Sequence, residues 1–319
     1  MFDNLLDPVV LCFVVGLVAG LLKSDLRFPD QLYESLSIYL LFAIGLKGGI
    51  ELSKASPGEV FLPSLATIAL GVIIPILAYN LLRRLGGFGR PDAAAIAAHY
   101  GSVSAVTYAV VIAYLARIGQ SYESFVTVLL VVLEIPAIAI GIFIARLRTT
   151  PGGIKWGPLL HEVFLGKSIY LLVAGLLVGL LSGAERSEAV APLFSGLFKG
   201  ALALFLLEMG IITSRRMGDL RQAGPFLVIF GMAMPLFSGV LGTLAGLLSG
   251  LSLGGTTVLA TLAGSASYIA APAAMRIAVP KANPTLYLAA SLGITFPFNI
   301  LAGIPIYHAM ARFAHGFGG

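Results

Sequence analysis

Charge is scarce in this chain of 319 residues. Only 11% are Asp, Glu, Lys or Arg, while 58% are hydrophobic and the mean hydropathy is +0.97. Soluble proteins carry roughly a quarter charged residues, so the composition excludes a soluble fold and points to a polytopic membrane protein. A single cysteine, Cys12, excludes an internal disulfide. The formal net charge of +5 is small, and its distribution matters more than its sum; no nucleic-acid partner follows from it. The catalytic signatures looked for are missing too. There is no H-E-x-x-H zinc spacing, no Walker A and no Rossmann glycine pattern, and G-S-V-S-A at Gly101–Ala105 is not G-x-S-x-G. No soluble domain interrupts the apolar runs; the longest break covers about 147–161. The opening MFDNLLDPVVLCF has no positive n-region and no A-x-A-like cleavage site, so its apolar stretch is expected to be the first span.

What is present is a series of ten candidate spans, at roughly 8–22, 32–50, 60–82, 92–116, 122–146, 163–183, 192–213, 225–249, 254–276 and 284–313. The two halves match. Gly101-Ser102-Val103-Ser104 parallels Gly264-Ser265-Ala266-Ser267 at an offset of 163, and Glu134-Ile135-Pro136 parallels Thr295-Phe296-Pro297 at an offset of 161. G-x-x-x-G pairs stand in both first spans, at Gly16/Gly20 and Gly175/Gly179. Five spans per unit is an odd number, so the second copy enters the membrane from the opposite side. The expectation is an all-α membrane protein of two inverted five-helix repeats, residues 1–150 and 162–319, joined by a linker at 151–161, with spans 4 and 9 broken and crossing. Lys and Arg fall about threefold more often on the side holding Lys23, Arg83, Arg84, Arg215 and Arg216 than on the side holding Lys54, Arg117 and Arg312. That side reads as cytoplasmic, with both termini outside.

Polar residues cluster where lipid would not tolerate them. AHYGSVSAVTYAVV at 98–111 and LAGSASYIAAPAAM at 262–275 each place glycine and hydroxyls in mid-span. A helix interrupted at membrane depth survives only inside protein or beside a wet cavity. Its free N–H groups attract an anion, and its free carbonyls with nearby hydroxyls coordinate Na⁺. Two such breaks brought face to face would form one site for ion and substrate. Against this stands close helix packing through Gly, Ala and Ser, with each serine bonded to its own i−4 carbonyl. Substrate candidates are Gly101, Ser104, Thr107, Gly264, Ser265, Ser267 and Tyr268; Na⁺ candidates are Ser102, Glu134 and Thr295. Glu134 lies alone in TVLLVVLEIPAIAIGIF, where a carboxylate costs roughly 2.5–3.5 kcal/mol to insert. It is either a Na⁺ ligand, a proton carrier, or a carboxyl acid bonded within a helix interface. Lys47 is expected to snorkel and pair with Glu51 at i+4. A buried pair of Lys47 with Glu208 across the pseudo-symmetry axis is an alternative. His99 reads either as a proton relay or as a hydrogen-bonded core histidine.

At these residues the chain resembles the SbtA-type sodium-dependent bicarbonate transporters. The resemblance rests on Ile44-Gly45-Leu46 with Gly48-Gly49, on G-x-V-S-x-x-T at Gly101–Thr107, and on Glu134-Ile135-Pro136-Ala137. Ala282-Asn283-Pro284, the segment at Gly293 and Pro297 complete it. It implies a transport core of spans 3–5 and 8–10 moving like an elevator against a scaffold of spans 1–2 and 6–7. It further implies a homotrimer in the bacterial inner (plasma) membrane, Na⁺ as coupling ion with no organic cofactor, and regulation by a cytoplasmic PII-type protein. The chain departs from the family's S-S-S-D-I-S-G-P, reading Ser265-Ala266-Ser267-Tyr268-Ile269-Ala270-Ala271-Pro272, and it has Glu134 where the family has Asp. The expected function is symport of Na⁺ with bicarbonate or a similar small monoanion. A proton-coupled carboxylate carrier, an intramembrane serine hydrolase and an anion channel are the alternatives.

Overall fold

A computed structural model describes residues 6–146, 165–217 and 220–316; the expected linker at 151–161 lies outside them. All regular structure among these residues is helical. The helices are α1 Pro8–Leu21, α2 Asp30–Leu52, α3 Pro57–Arg84, α4 Arg90–Gly101, α5 Ala105–Arg117 and α6 Val126–Arg146. The second half holds α7 Lys167–Ser187, α8 Phe198–Met217, α9 Leu220–Leu248, α10 Leu253–Ala263, α11 Ala270–Ala278 and α12 Pro284–Gly316, the last with two π-helical stretches at Ala289–Thr295 and Asn299–Gly303. Among the described residues seven stretches are long and apolar enough to cross a membrane, counting α4 with α5 as one, so this is a multi-pass membrane protein. Helix α8 is not among the seven and carries Lys199 and Glu208. Helices α1 and α10 are apolar but short.

Helix starts follow local chemistry. Asp7 accepts from the Val9 N–H at 2.9 Å ahead of Pro8, which supplies the first turn with an acceptor and a preset φ. Ser56 and Glu59 form a reciprocal capping box before α3, with Pro57 at the first helical position. Asn283 caps α12, accepting from Thr285 N–H at 3.0 Å.

Two glycine seams hold α1, α2, α7 and α8 together. Gly45 and Gly49 of α2 lie on the α7 backbone at Leu172 and Leu176, and Gly175 and Gly179 of α7 lie on the α2 backbone in return. Helix α1 meets α8 in the same way, Gly16 against Leu207 and Gly210 against Phe13. A methyl group at Gly49 would overlap the Leu176 carbonyl, so these glycines serve backbone contact. Small residues perform this role in membranes because apolar burial gives no drive between helices in lipid.

The other helices form a second group, stitched by two carboxylates. Asp92, in the first turn of α4, accepts from the Asn283 N–H at 2.7 Å, at the start of α12. Glu123, just before α6, accepts from the Ser252 N–H at 2.5 Å and the Ser252 hydroxyl at 3.1 Å, at the start of α10. Each tether joins a helix start of one half to a helix start of the other.

Candidate functional site

The chain leaves helical geometry after Gly101, runs extended through Ser102 (ψ 177°), and starts α5 with Ser104 as its cap. The Ser104 hydroxyl oxygen accepts from the Thr107 N–H at 3.1 Å. Gly101 is needed here for space. A Cβ would come 2.7 Å from the Pro75 ring of α3 and 3.0 Å from Ala137 of α6. The second interruption, between α10 and α11, covers 264–269. Gly264 is equally confined, since a Cβ would lie 2.6 Å from the Tyr307 hydroxyl and 2.9 Å from the Pro235 carbonyl.

The two interruptions touch. Ser104 N–H donates to the Ser265 hydroxyl oxygen at 3.1 Å, and Ser267 N–H donates to the His99 carbonyl at 2.8 Å. Ser265 in turn donates to the Leu262 carbonyl at 2.8 Å, and Ser267 accepts from the Ala271 N–H at 3.2 Å. Ser102, Ser104, Thr107, Ser265 and Ser267 are all buried. The hydrogen bonds across the gap therefore satisfy backbone groups at both helix breaks, where the helical ladder supplies no partner.

Beside the contact sits the Glu134 carboxylate, 3% exposed, its Oε1 accepting from the Ser102 hydroxyl at 3.2 Å with Ser267 also facing it. A small cavity, about 10 Å³ open to the centre of a water molecule, adjoins it and is lined by Ser104, Ala105, Glu134, Ser267 and Tyr268, with Leu41 of α2 and Leu172 of α7 opposite. That is room for about one water. The cavity thus opens on the seam between the two helix groups. The Tyr268 hydroxyl is buried and faces Ser104 without a hydrogen bond; its ring packs edge-on against Phe296, centroids 5.0 Å apart.

The structure does not bring every candidate together. Thr295 lies in a network of its own, its hydroxyl 2.7 Å from the Tyr100 hydroxyl and donating to the Gly231 carbonyl at 2.7 Å; it does not line the Glu134 cavity. Lys47 does not pair with Glu51, which takes Lys54 at 2.9 Å instead. Helical spacing allows either partner, and Lys54, in the turn past the end of α2, reaches back without leaving water. Nor does Lys47 meet Glu208, whose surroundings are Phe28, Asp30, Tyr33 and Arg215. His99 donates Nδ1–H to the Ala95 carbonyl at 2.7 Å and stacks on Tyr287 with centroids 4.5 Å apart. Its Nε2 is buried with no partner, and since Ser102 turns to Glu134 and Ser104 to Thr107, no Ser–His pair forms.

One residue at the site escaped the sequence reading. Asn299 is fully buried on α12; its amide donates to the Gly264 carbonyl at 2.9 Å, and its Oδ1 accepts from the Tyr307 hydroxyl at 2.7 Å. The signal available was a lone amide in FPFNILAG, an apolar run.

An all-α membrane protein that buries two touching helix interruptions and a lone carboxylate at its centre has the build of a secondary transporter. A family model described as the Na⁺-dependent bicarbonate transporter superfamily matches residues 8–312, nearly the whole chain, and the chain belongs to that family. It is a secondary active transporter of that general kind. No curated protein matched the sequence.

Proposed function

We propose that the chain carries Na⁺ together with bicarbonate or a similar small monoanion, and that the contact between the two interruptions is the site. The observation that carries this is the pairing of Ser104 N–H with Ser265 beside the Ser102–Glu134 hydrogen bond. It puts positive helix ends and an acidic oxygen next to one cavity. The first turn of α5 presents the Ala105 and Val106 N–H groups, which have no acceptor within their own helix. With the hydroxyls of Ser104, Ser265 and Ser267 they suit an anion. Glu134 and Ser102 offer hard oxygens to Na⁺, with the carbonyls of the α4 end as the further ligands. Thr107, Gly101 and Gly264 shape the pocket through capping and close approach. In this conformation the Thr295 hydroxyl serves Tyr100 and Gly231, so Na⁺ is assigned to the first half. Opposite charges in a poorly solvated site strengthen each other's binding, which couples the two fluxes.

The same reading takes the fold as two inverted five-span repeats of ten spans, residues 1–150 and 162–319. The carboxylate tethers support it. Asp92 and Ser252 begin spans 4 and 9, and Glu123 and Asn283 precede spans 5 and 10. Exchanging the halves maps one tether onto the other. The glycine seams support it too: α1 with α8 exchanges with α2 with α7. We assign α1, α2, α7 and α8 to a scaffold and the remaining helices to a core that slides along the seam where the cavity opens. The basic side of the membrane is taken as cytoplasmic and both termini as outside, in a bacterial inner membrane, the assembly being a homotrimer.

Uptake of labelled bicarbonate into proteoliposomes, with and without an inward Na⁺ gradient, tests the reading; acetate and similar anions compete in the same assay. Accumulation that requires Na⁺ and yields only to excess bicarbonate supports it. Displacement by a different small anion moves the substrate to that anion, and the Tyr268 pocket becomes the reason. A second reading, coupling to protons, is favoured by the surroundings of Glu134, which faces hydroxyls and no cationic side chain in the bonds it makes; accumulation driven by a pH gradient without Na⁺ would select it.

A further inference from the structure

Lys47, near the end of α2, and Lys199, at the start of α8, are exposed, and neither joins an ion pair among the described residues. Both side chains line one cavity of about 130 Å³, far more than one water needs. Its walls are α2 on one side, α5 and the start of α6 on the other, with Phe194–Lys199 closing it. Among the described residues the only carboxylate on its wall is Glu51, already held by Lys54 at 2.9 Å. The wall therefore carries two ammonium groups against one carboxylate that is shared with Lys54, and the hydroxyls of Ser124 and Ser195 lie on it too.

The cavity also neighbours the site by way of an intermediate void. The Glu134 cavity shares Leu41, Ala105 and Ile269 with a second small void, and that void shares Ile44 and Ala109 with the lysine cavity. The intermediate void is apolar, narrowed by Ile44, Val106 and Phe205 to about 10 Å³. The three follow one another along α5, from Ala105 past Val106 and Ala109 to Ile112 and Ala116.

We propose that the lysine cavity is a second anion site, an antechamber that holds a small oxyanion between Lys47 and Lys199 before it passes the apolar pinch to the interrupted helices. This rests on the transport reading and places the antechamber on the outer side, where α2 ends and α8 begins. Two like charges facing a low-dielectric crevice concentrate anions there and raise their rate of entry.

The test needs no transport. In a Cys12→Ser background, which removes the one native cysteine, Ser195→Cys places a thiol on the cavity wall. It is reacted with a sulfonate-bearing and an ammonium-bearing thiosulfonate reagent of equal size. The anionic reagent is expected to react about tenfold faster, millimolar bicarbonate to slow it, and both effects to vanish in K47Q/K199Q while K47R/K199R keeps them. Equal rates for the two reagents, or a preference that survives K47Q/K199Q, would overturn the antechamber. In uptake, K47Q/K199Q should raise the half-saturating anion concentration several-fold and leave that for Na⁺ unchanged. If labelling shows the preference while no Na⁺-driven uptake occurs in the parent, the antechamber stands and the coupling reading fails.

Discussion

The first helix interruption takes three residues, Ser102 to Ser104, and closes on itself when Ser104 caps Thr107. The second takes six, Gly264 to Ile269; Ile269 offers α11 no side-chain bond, and Ser267 takes the Ala271 N–H in its place. This turn also relies on other elements: Ser267 reaches the His99 carbonyl of α4, and Asn299 with Tyr307 of α12 holds the Gly264 carbonyl. The acid differs as well. Glu134 stands beside the first interruption, whereas the matching Thr295 is bonded to Tyr100 and Gly231 and stays away from the second. Related segments have thus divided the chemistry. The first half supplies a carboxylate from α6 beside its turn, and the second supplies hydroxyls; each turn has one local cap and one bond to the other turn or its helix.

The largest effect is expected from making the halves alike in charge. Glu134→Gln should weaken Na⁺ coupling, raising the Na⁺ concentration that uptake needs by about a hundredfold or more, near 2.7 kcal/mol, while Glu134→Asp loses less. Unchanged Na⁺ affinity in Glu134→Gln, read by uptake at graded Na⁺, would move the cation elsewhere. Next comes the support of the second turn. Asn299→Leu leaves the buried Gly264 carbonyl with only the long 3.4 Å contact from Tyr307 and should cost about 1–3 kcal/mol, visible as a lower unfolding temperature in detergent. Ser265→Ala should cost a similar or smaller amount, because the Ser104 N–H loses its acceptor; Ser267→Ala keeps the backbone bond to His99 and removes only the acceptor of the Ala271 N–H, so its cost should be no larger. The smallest stability change belongs to Tyr268→Phe. The hydroxyl it removes has no hydrogen bond, so unfolding should be unaffected or slightly later, while the preference among small anions shifts. A clear loss of stability would mean the hydroxyl is bonded after all.

Much of this was legible in the chain. The recurrence of Gly-Ser-x-Ser at two matching places located both interruptions, and isolation in an apolar run singled out Glu134. The reason for the glycines was not legible: they yield to Pro75, Ala137, Tyr307 and Pro235 packed against them, contacts that no local pattern contains. Lys47 was assigned the wrong relationship because Glu51 has two basic neighbours within helical reach, and the geometry at the end of α2 chooses Lys54. The separation of Thr295 from Glu134 was equally hidden, since repeat position fixes where a residue sits along its helix but not what it bonds. Asn299 was overlooked because its partner lies 35 residues away.

By itself the sequence determined that the chain lies in a membrane, is all helical, and interrupts its helices twice. Those properties follow from hydropathy, helical period and glycine-hydroxyl clusters, which act over short distances. Only the tertiary structure decided which polar groups meet. Buried N–H and C=O groups take whatever partner the packing of distant helices supplies. Ser104 therefore finds Ser265 and Ser267 finds His99, and two lysines from different helices come to share one cavity.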